Sequence, residues 1–126
     1  IIKSQIKKGF SLKIIHISTN TIKYYGSNKN LPYLISKSAL ETALLNLSKL
    51  FSKNRIKINI IRPGLINNKK STRVKGYSNK LFKNREKLVP IKEAGKPEDI
   101  ANLVKFLISK NSQYIYGQII SVSGGE

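Results

Sequence analysis

The sequence predicts an α/β architecture of three parallel strands with flanking helices, and three observations carry that prediction. Short β-branched apolar runs recur at Lys13-Ile14-Ile15-His16-Ile17-Ser18, at Ile56-Lys57-Ile58-Asn59-Ile60-Ile61 and at Gly117-Gln118-Ile119-Ile120-Ser121-Val122. Runs of this length and composition read as buried strands. Between the first two lies the longest periodic apolar stretch of the chain, from about Tyr33 to Lys53, too long for a strand. Strand, loop, helix and strand in that order make a βαβ unit, which requires parallel pairing and a right-handed crossover. Lys96-Pro97-Glu98-Asp99 then opens another helix before the third strand, with proline at the first position and acids in the first turn, where they complement the helix dipole.

Length and composition bound the function. The 126 residues fit one small domain, and a 40% hydrophobic share is enough for an ordinary core. There is no cysteine, so disulfides and thiolate metal sites are excluded. His16 is the single histidine and is expected to be packed or surface-facing, not catalytic; no metal site is expected. No apolar run approaches the roughly 18 residues that span a bilayer, so no membrane partner and a cytoplasmic location are expected. The formal net charge is +18, which raises nucleic-acid binding through phosphate neutralisation. Twenty of the 24 basic residues are lysines spread through the chain, and no basic stripe with interleaved aromatics appears. The charge therefore reads as biased composition, and no nucleic-acid partner is expected. The chain starts with Ile1, and residues 1–9 read as a helix end stopped by Gly9, as if the chain began inside an element.

The elements follow in order. The first strand ends in Ser18-Thr19-Asn20-Thr21, a cluster of hydroxyls at a strand's carboxyl end, where ligands bind in open α/β sheets. Residues 20–32 are polar, with Gly26, Asn28, Asn30 and Pro32 as turn residues; Tyr24 and Tyr25 within them either line a substrate mouth or simply pack the loop. In the helix expected from Tyr33 to Lys53, Ala39, Leu40, Ala43, Leu44, Leu47, Leu50 and Phe51 recur at three- and four-residue spacing, and Leu34, Ile35 and Leu45 widen the apolar surface. Such a helix is expected to be covered on more than one side, by its own sheet and by a partner subunit. The second strand ends in Arg62-Pro63-Gly64. Residues 65–96 are Lys-rich and poorly periodic, and a segment of that length is usually functional or mobile. It has room for a short helix from Tyr77 to Leu88, with Leu81, Phe82 and Leu88 inward. In the next helix, Ile100, Leu103, Val104, Leu107 and Ile108 mark the buried face and Asn111 the stop. The last strand closes in Ser123-Gly124-Gly125-Glu126.

Tyr33 and Lys37 head the long helix four residues apart, a spacing that stacks them on one face. An unperturbed phenol titrates near about 10. A cation within reach favours phenolate, so the pair can form an acid/base unit. Taken alone, this spacing is common. In its setting it is not. The hydroxyl-ended strand, Tyr33-x-x-x-Lys37, the strand ending in Pro63-Gly64, the Lys96-Pro97-Glu98-Asp99-Ile100-Ala101 helix start, and Gly117-Gln118 leading to Gly124-Gly125 stand in one order over nearly the whole chain. Together they resemble the C-terminal half of the short-chain dehydrogenase/reductase family.

The resemblance implies a Rossmann-type doubly wound parallel sheet, of which residues 1–126 would supply the last three strands. The N-terminal dinucleotide-binding half, with its glycine-rich phosphate loop, would lie upstream of this segment. It implies NAD(P)-dependent hydride transfer between nicotinamide and a small-molecule carbonyl or alcohol, with NAD or NADP as cofactor. Tyr33 would be the general acid/base, and Lys37 would lower its pKa and hold the nicotinamide ribose. The family's carbonyl-polarising serine stands about 13 residues before the tyrosine, where this chain has Asn20; aligning the strand instead puts Thr19 in that role, with Ser18 the fallback. Pro63, Gly64, Ile66 and Asn68 would meet the cofactor, Asn68 replacing the usual threonine. Ser123 replaces an aspartate common before the terminal glycine pair. Segment 65–96 would be a substrate-covering lid, and the long helix part of a homodimer or homotetramer interface. The fragment alone is expected to be inactive. The alternative expectation is a non-catalytic remnant or an oligomerisation module.

Overall fold

The computed structural model describes residues 4, 7, 11–24, 30–68 and 78–126. Of the helix end expected over residues 1–9, only Ser4 and Lys7 are described, both helical. The strands form one parallel sheet in the order β1 (Leu12–Ile17), β2 (Ile56–Pro63), β3 (Ile119–Val122). Register runs from Leu12 opposite Ile56 to Ile17 opposite Ile61, and from Ile60 opposite Ile119 to Pro63 opposite Val122. All three carboxyl ends therefore lie at one edge of the sheet, and Ser18 N–H extends that edge by donating to Ile61 O at 2.8 Å.

The central strand holds the core. Ile56, Ile58, Ile60 and Ile61 are completely or almost completely buried. Isoleucines here match a strand covered on both faces, where branched side chains fill the pleat. Each such burial is worth about 1.5–3 kcal/mol. Asn59 is the polar exception and is fully paired. Its Nδ2 donates to Ile115 O at 3.1 Å and its Oδ1 accepts from Gln118 N–H at 3.0 Å, so it anchors the lead-in to β3.

α1 (Leu31–Leu50) crosses over from β1 to β2. Pro32 sits in its first turn, where a missing N–H costs nothing. The expected start at Tyr33 is thus two residues late, and the expected end at Lys53 three late. The chain leaves the helix through a 3₁₀ turn, Ser52–Asn54, and reverses at Arg55, whose backbone is left-handed (φ 56°, ψ 29°). The fully buried residues of α1 are Glu41 and Ser48, both polar, while Leu31, Tyr33, Ile35, Leu40 and Leu50 are exposed. The helix is apolar beyond the face its sheet can cover.

α2 (Asn79–Glu86) begins at Ser78, whose Oγ accepts from Leu81 N–H at 3.2 Å. That cap sets the helix phase and points Phe82 into a cluster with Leu65, Val89 and Ala94. The expected inward positions of Leu81 and Leu88 are corrected: both are exposed, at 49% and 78%. Leu81 lies one residue out of phase with Phe82, and Leu88 falls in the turn beyond the helix. α3 (Pro97–Ile108) opens as expected, with Lys96 N–H donating to Asp99 Oδ2 at 2.7 Å. Leu107 is its fully buried residue; Ile108 is half exposed and not part of the buried face. The helix stops at Ser109, two residues before Asn111, and Lys13 from β1 caps it by donating to Ile108 O and Ser109 O at 2.9 and 2.5 Å. Among the described residues, no helix is long and apolar enough to cross a membrane.

Candidate active site

Tyr33 and Lys37 sit in the first turns of α1, beside the carboxyl end of β1. Tyr33 is 48% exposed and Lys37 half-buried. The Lys37 ammonium lies 5.9 Å from the Tyr33 ring centroid, at the outer limit of a cation–π contact, and donates to Ile17 O at 3.1 Å. One long side chain thus ties the helix that carries the phenol to the last residue of β1, next to the hydroxyl cluster.

The three candidates in that cluster separate cleanly. Asn20 is 1% exposed. Its Oδ1 accepts from Ser121 Oγ at 3.0 Å, and its Nδ2 donates to Tyr24 OH at 3.3 Å and to Glu126 O at 3.2 Å. All of its groups are engaged in pinning the end of β1 to β3 and the final residue. Ser18 is buried, at 6% exposure, and its Oγ makes no well-formed hydrogen bond although it lies beside the Glu41 carboxylate. Thr19 is half-buried and caps the 3₁₀ turn Asn20–Lys23: its Oγ1 accepts from Thr21 N–H at 3.3 Å and is hydrogen-bonded to Thr21 Oγ1 at 3.0 Å. Of the three, Thr19 is the accessible one, with its O–H donated to the neighbouring Thr21 hydroxyl and not to the sheet.

Tyr24 is a second phenol near this edge. Burial and the charge of Glu126 push its pKa up, against the Asn20 hydrogen bond, so it stays protonated at neutral pH. Tyr25 and residues 26–29 of the expected substrate mouth lie outside the described residues, as do residues 69–77 of the expected lid.

The loop after β2 is built by close approach. Gly64 N–H donates to Val122 O at 2.9 Å, and a Cβ on Gly64 would stand 2.7 Å from Ser123 Cα. Leu65 N–H donates to Glu126 Oε2 at 3.2 Å. Ile66 forms a parallel bridge with Gly95, flanked by Gly95 N–H to Leu65 O at 3.0 Å and Asn67 N–H to Gly95 O at 2.8 Å. Pro63 ends β2, and Asn68 is exposed. These bonds fasten the loop to β3 and the 94–95 turn. A cavity of about 440 Å³ opens between Leu65, Ile66, Ala94, Gly95, Val122 and Ser123. It touches Ile66 but none of Tyr33, Lys37 and Thr19.

Sequence reasoning missed a buried ion pair under the site. Arg62 Nε and Nη2 donate to Glu41 Oε1 and Oε2 at 2.9 and 2.5 Å. Burial pushes the Glu41 carboxyl up, but the Arg62 hydrogen bonds, with Ser18 and the charges of Arg62 and His16, outweigh that and hold it below the usual range. Glu41 in turn raises the Arg62 guanidinium. His16 is held below its ordinary value by burial and by the Lys37 charge, against Glu41, and stays neutral at pH 7. The available signal was Glu41 itself: it is the one acid in the 20 residues of α1, and it stands four residues after Lys37. Among the described residues, no group of three or more His, Cys, Asp or Glu is arranged to hold a metal ion.

Comparison with known proteins matches residues 3–126 to the family described as enoyl-(acyl carrier protein) reductase. The chain belongs to the short-chain dehydrogenase/reductase family. It is 37% identical over 125 residues to the 3-oxoacyl-[acyl-carrier-protein] reductase FabG of Buchnera aphidicola, covering 99% of this chain and 49% of the relative. It is 35% identical over 100 residues to the mouse dehydrogenase/reductase SDR family member 4, covering 75% of this chain and 33% of that one. In structure it resembles a putative 2-deoxy-D-gluconate 3-dehydrogenase from Agrobacterium tumefaciens with bound NADP, at a TM-score of 0.86 and 25% identity, over 98% of this chain and 50% of that one. The chain spans half or less of the length of these relatives, and its three parallel strands with flanking helices are the Rossmann-type sheet of the family.

Proposed function

We propose that the whole protein is a cytoplasmic, NAD(P)-dependent oxidoreductase that interconverts a carbonyl and an alcohol, and that this chain supplies its proton-transfer side. One observation carries the reading: the Lys37 ammonium lies 5.9 Å from the Tyr33 ring centroid and donates to Ile17 O, two residues before Thr19, at 3.1 Å. On this reading a phenol, an ammonium and a hydroxyl would act together at the carboxyl edge of a parallel sheet, where such sheets bind ligands.

The residues present fit the nicotinamide end of a dinucleotide. Lys37 has three N–H donors and uses one on Ile17 O, which leaves two for ribose hydroxyls. Gly64 lets the 63–68 backbone lie flat against β3, and Pro63, Gly64, Ile66 and Asn68 would line the cofactor from that side. The nicotinamide, when bound, supplies or accepts the hydride. In reduction Tyr33 gives its phenolic proton to the carbonyl oxygen, and in oxidation it takes the proton back. Lys37 holds its positive charge 5.9 Å from the Tyr33 ring centroid. Thr19 donates a hydrogen bond to the same carbonyl oxygen and polarises it. To do so the Thr19 O–H would turn from Thr21 Oγ1, to which it donates at 3.0 Å, toward the substrate.

The substrate class is a small-molecule carbonyl or alcohol, and the name of the Buchnera relative makes 3-oxoacyl thioesters the first compounds to test. The exposed Leu31, Ile35, Leu40 and Leu50 of α1 would pair with a second copy in a homodimer or homotetramer. Residues 1–126 alone would be inactive, because the dinucleotide's phosphates need a helix start that this segment does not carry. The test is Tyr33→Phe in the whole protein, followed by NAD(P)H absorbance with a panel of ketones and oxoacyl thioesters. The change removes one hydroxyl, and turnover should fall by at least about 10²-fold; turnover equal to the parent's would sink the assignment.

A further inference from the structure

Lys37 and Glu41 lie at i and i+4 on α1, the spacing at which an ammonium and a carboxylate pair along a helix. Burial should strengthen that attraction, since a charge pair gains as the local dielectric falls. Yet Lys37 turns away from Glu41, toward Ile17 O and the Tyr33 ring. The reason is visible at the carboxylate. Arg62 occupies both of its oxygens with a two-pronged guanidinium, the geometry that outcompetes a point-charge ammonium.

We propose that Arg62 is a positioning residue which, by holding both oxygens of Glu41, denies that carboxylate to Lys37 and leaves the ammonium to Tyr33 and the end of β1. Its catalytic consequence rests on the function proposed above; the geometric claim does not. A buried ion pair is a poor stabiliser compared with packed apolar groups, so its presence under this edge calls for another role. The groups that bear on the carboxylate are Arg62 from β2, His16 from β1 and Ser18 just beyond that strand, and the next cation along its own helix is Lys37, four residues before it. His16 is neutral at pH 7 and Ser18 is uncharged, so Lys37 is the cation that would replace Arg62 if Arg62 were removed. Capture by Glu41 would draw the ammonium one helical turn away from Tyr33.

The test uses Arg62→Gln, Glu41→Gln and the double variant in the whole protein. Arg62→Gln should lower kcat by at least about tenfold, because the ammonium is drawn away from the phenol. Adding Glu41→Gln to it removes the captor, and kcat should return to within about threefold of the parent, a coupling of opposite sign to that of a structural tether. The 15N resonance of the Lys37 ammonium should move in Arg62→Gln and return in the double variant. A double variant as impaired as Arg62→Gln, or a Lys37 resonance unmoved by Arg62→Gln, overturns the proposal. If Arg62→Gln does not fold, Glu41→Gln alone decides: the proposal requires the Lys37 resonance and kcat to stay near the parent's, and their displacement refutes it. If Tyr33→Phe has already shown the catalytic reading to be wrong, the Lys37 resonance still decides the geometry.

Discussion

Replacing Asn20 by alanine separates a stabilising role from a catalytic one at the position where residue spacing and structure disagree. Counting back 13 residues from Tyr33 reaches Asn20 and would make it the group that polarises the carbonyl. The structure buries it at 1% exposure with three hydrogen bonds. In Asn20→Ala, the Ser121 hydroxyl is exposed enough to turn to water, as is the hydroxyl of the 44%-exposed Tyr24. Glu126 O, part-buried, loses its side-chain donor from Asn20. Ser123 Oγ still donates to Glu126 O at 3.2 Å, so that oxygen is not left unpaired, and the loss of three net hydrogen bonds, each worth about 0.5–1.5 kcal/mol and partly replaced by water, sums to roughly 1–3 kcal/mol. Urea unfolding followed by circular dichroism should show that loss, while kcat stays within about threefold of the parent. Thr19→Val should do the reverse. It keeps the shape, removes the hydroxyl and one cap on the 3₁₀ turn, and costs about 1 kcal/mol in stability. Its kcat should drop by about 10²-fold, the scale of removing one donor to a developing oxyanion. An Asn20→Ala protein of parental stability with turnover abolished would refute the assignment, as would parental turnover in Thr19→Val.

Three further outcomes follow. Gly64→Ala puts a methyl group 2.7 Å from backbone at Ser123, so the loop must move; it should lose about 1–3 kcal/mol in urea unfolding and weaken NAD(P)H binding measured by fluorescence. Stability should fall with acid in two steps: His16 has its folded pKa below 6.5 and Glu41 below 4.5, so in both cases the unfolded chain takes up protons first and stability present above those values is lost as the pH falls through the folded ones. Urea midpoints measured from pH 8 to pH 3 check this, and the lower step should shrink in Glu41→Gln. Residues 1–126 expressed alone should self-associate, since among the described residues β1 pairs with β2 on one side only and offers its other edge; a cooperative transition in a monomer by sedimentation and calorimetry would contradict that.

Period and punctuation in the sequence determined the elements and their order. The β-branched runs, Pro32 at a helix start and Lys96-Pro97-Glu98-Asp99 at another are local signals, set by backbone sterics and orphan N–H groups within a few residues. The ordered landmarks also placed Tyr33, Lys37 and the Pro63-Gly64 loop, because parallel strands must bring their carboxyl ends to one edge. What the chain alone left open were choices between neighbours one residue apart. Ser18, Thr19 and Asn20 are alike as strings of small polar residues. Only the packed sheet turns Ser18 toward Glu41, buries Asn20 against Ser121 and Glu126, and leaves Thr19 accessible. Leu81 and Leu88 were misplaced for the same reason: the Ser78 cap sets a phase that composition does not contain. The Glu41–Arg62 pair joins residues 21 positions apart on different elements, and nothing local selects it over the nearer Lys37. Tertiary structure decided it because charge pairing depends on distance and burial in space, which a one-dimensional spacing does not specify.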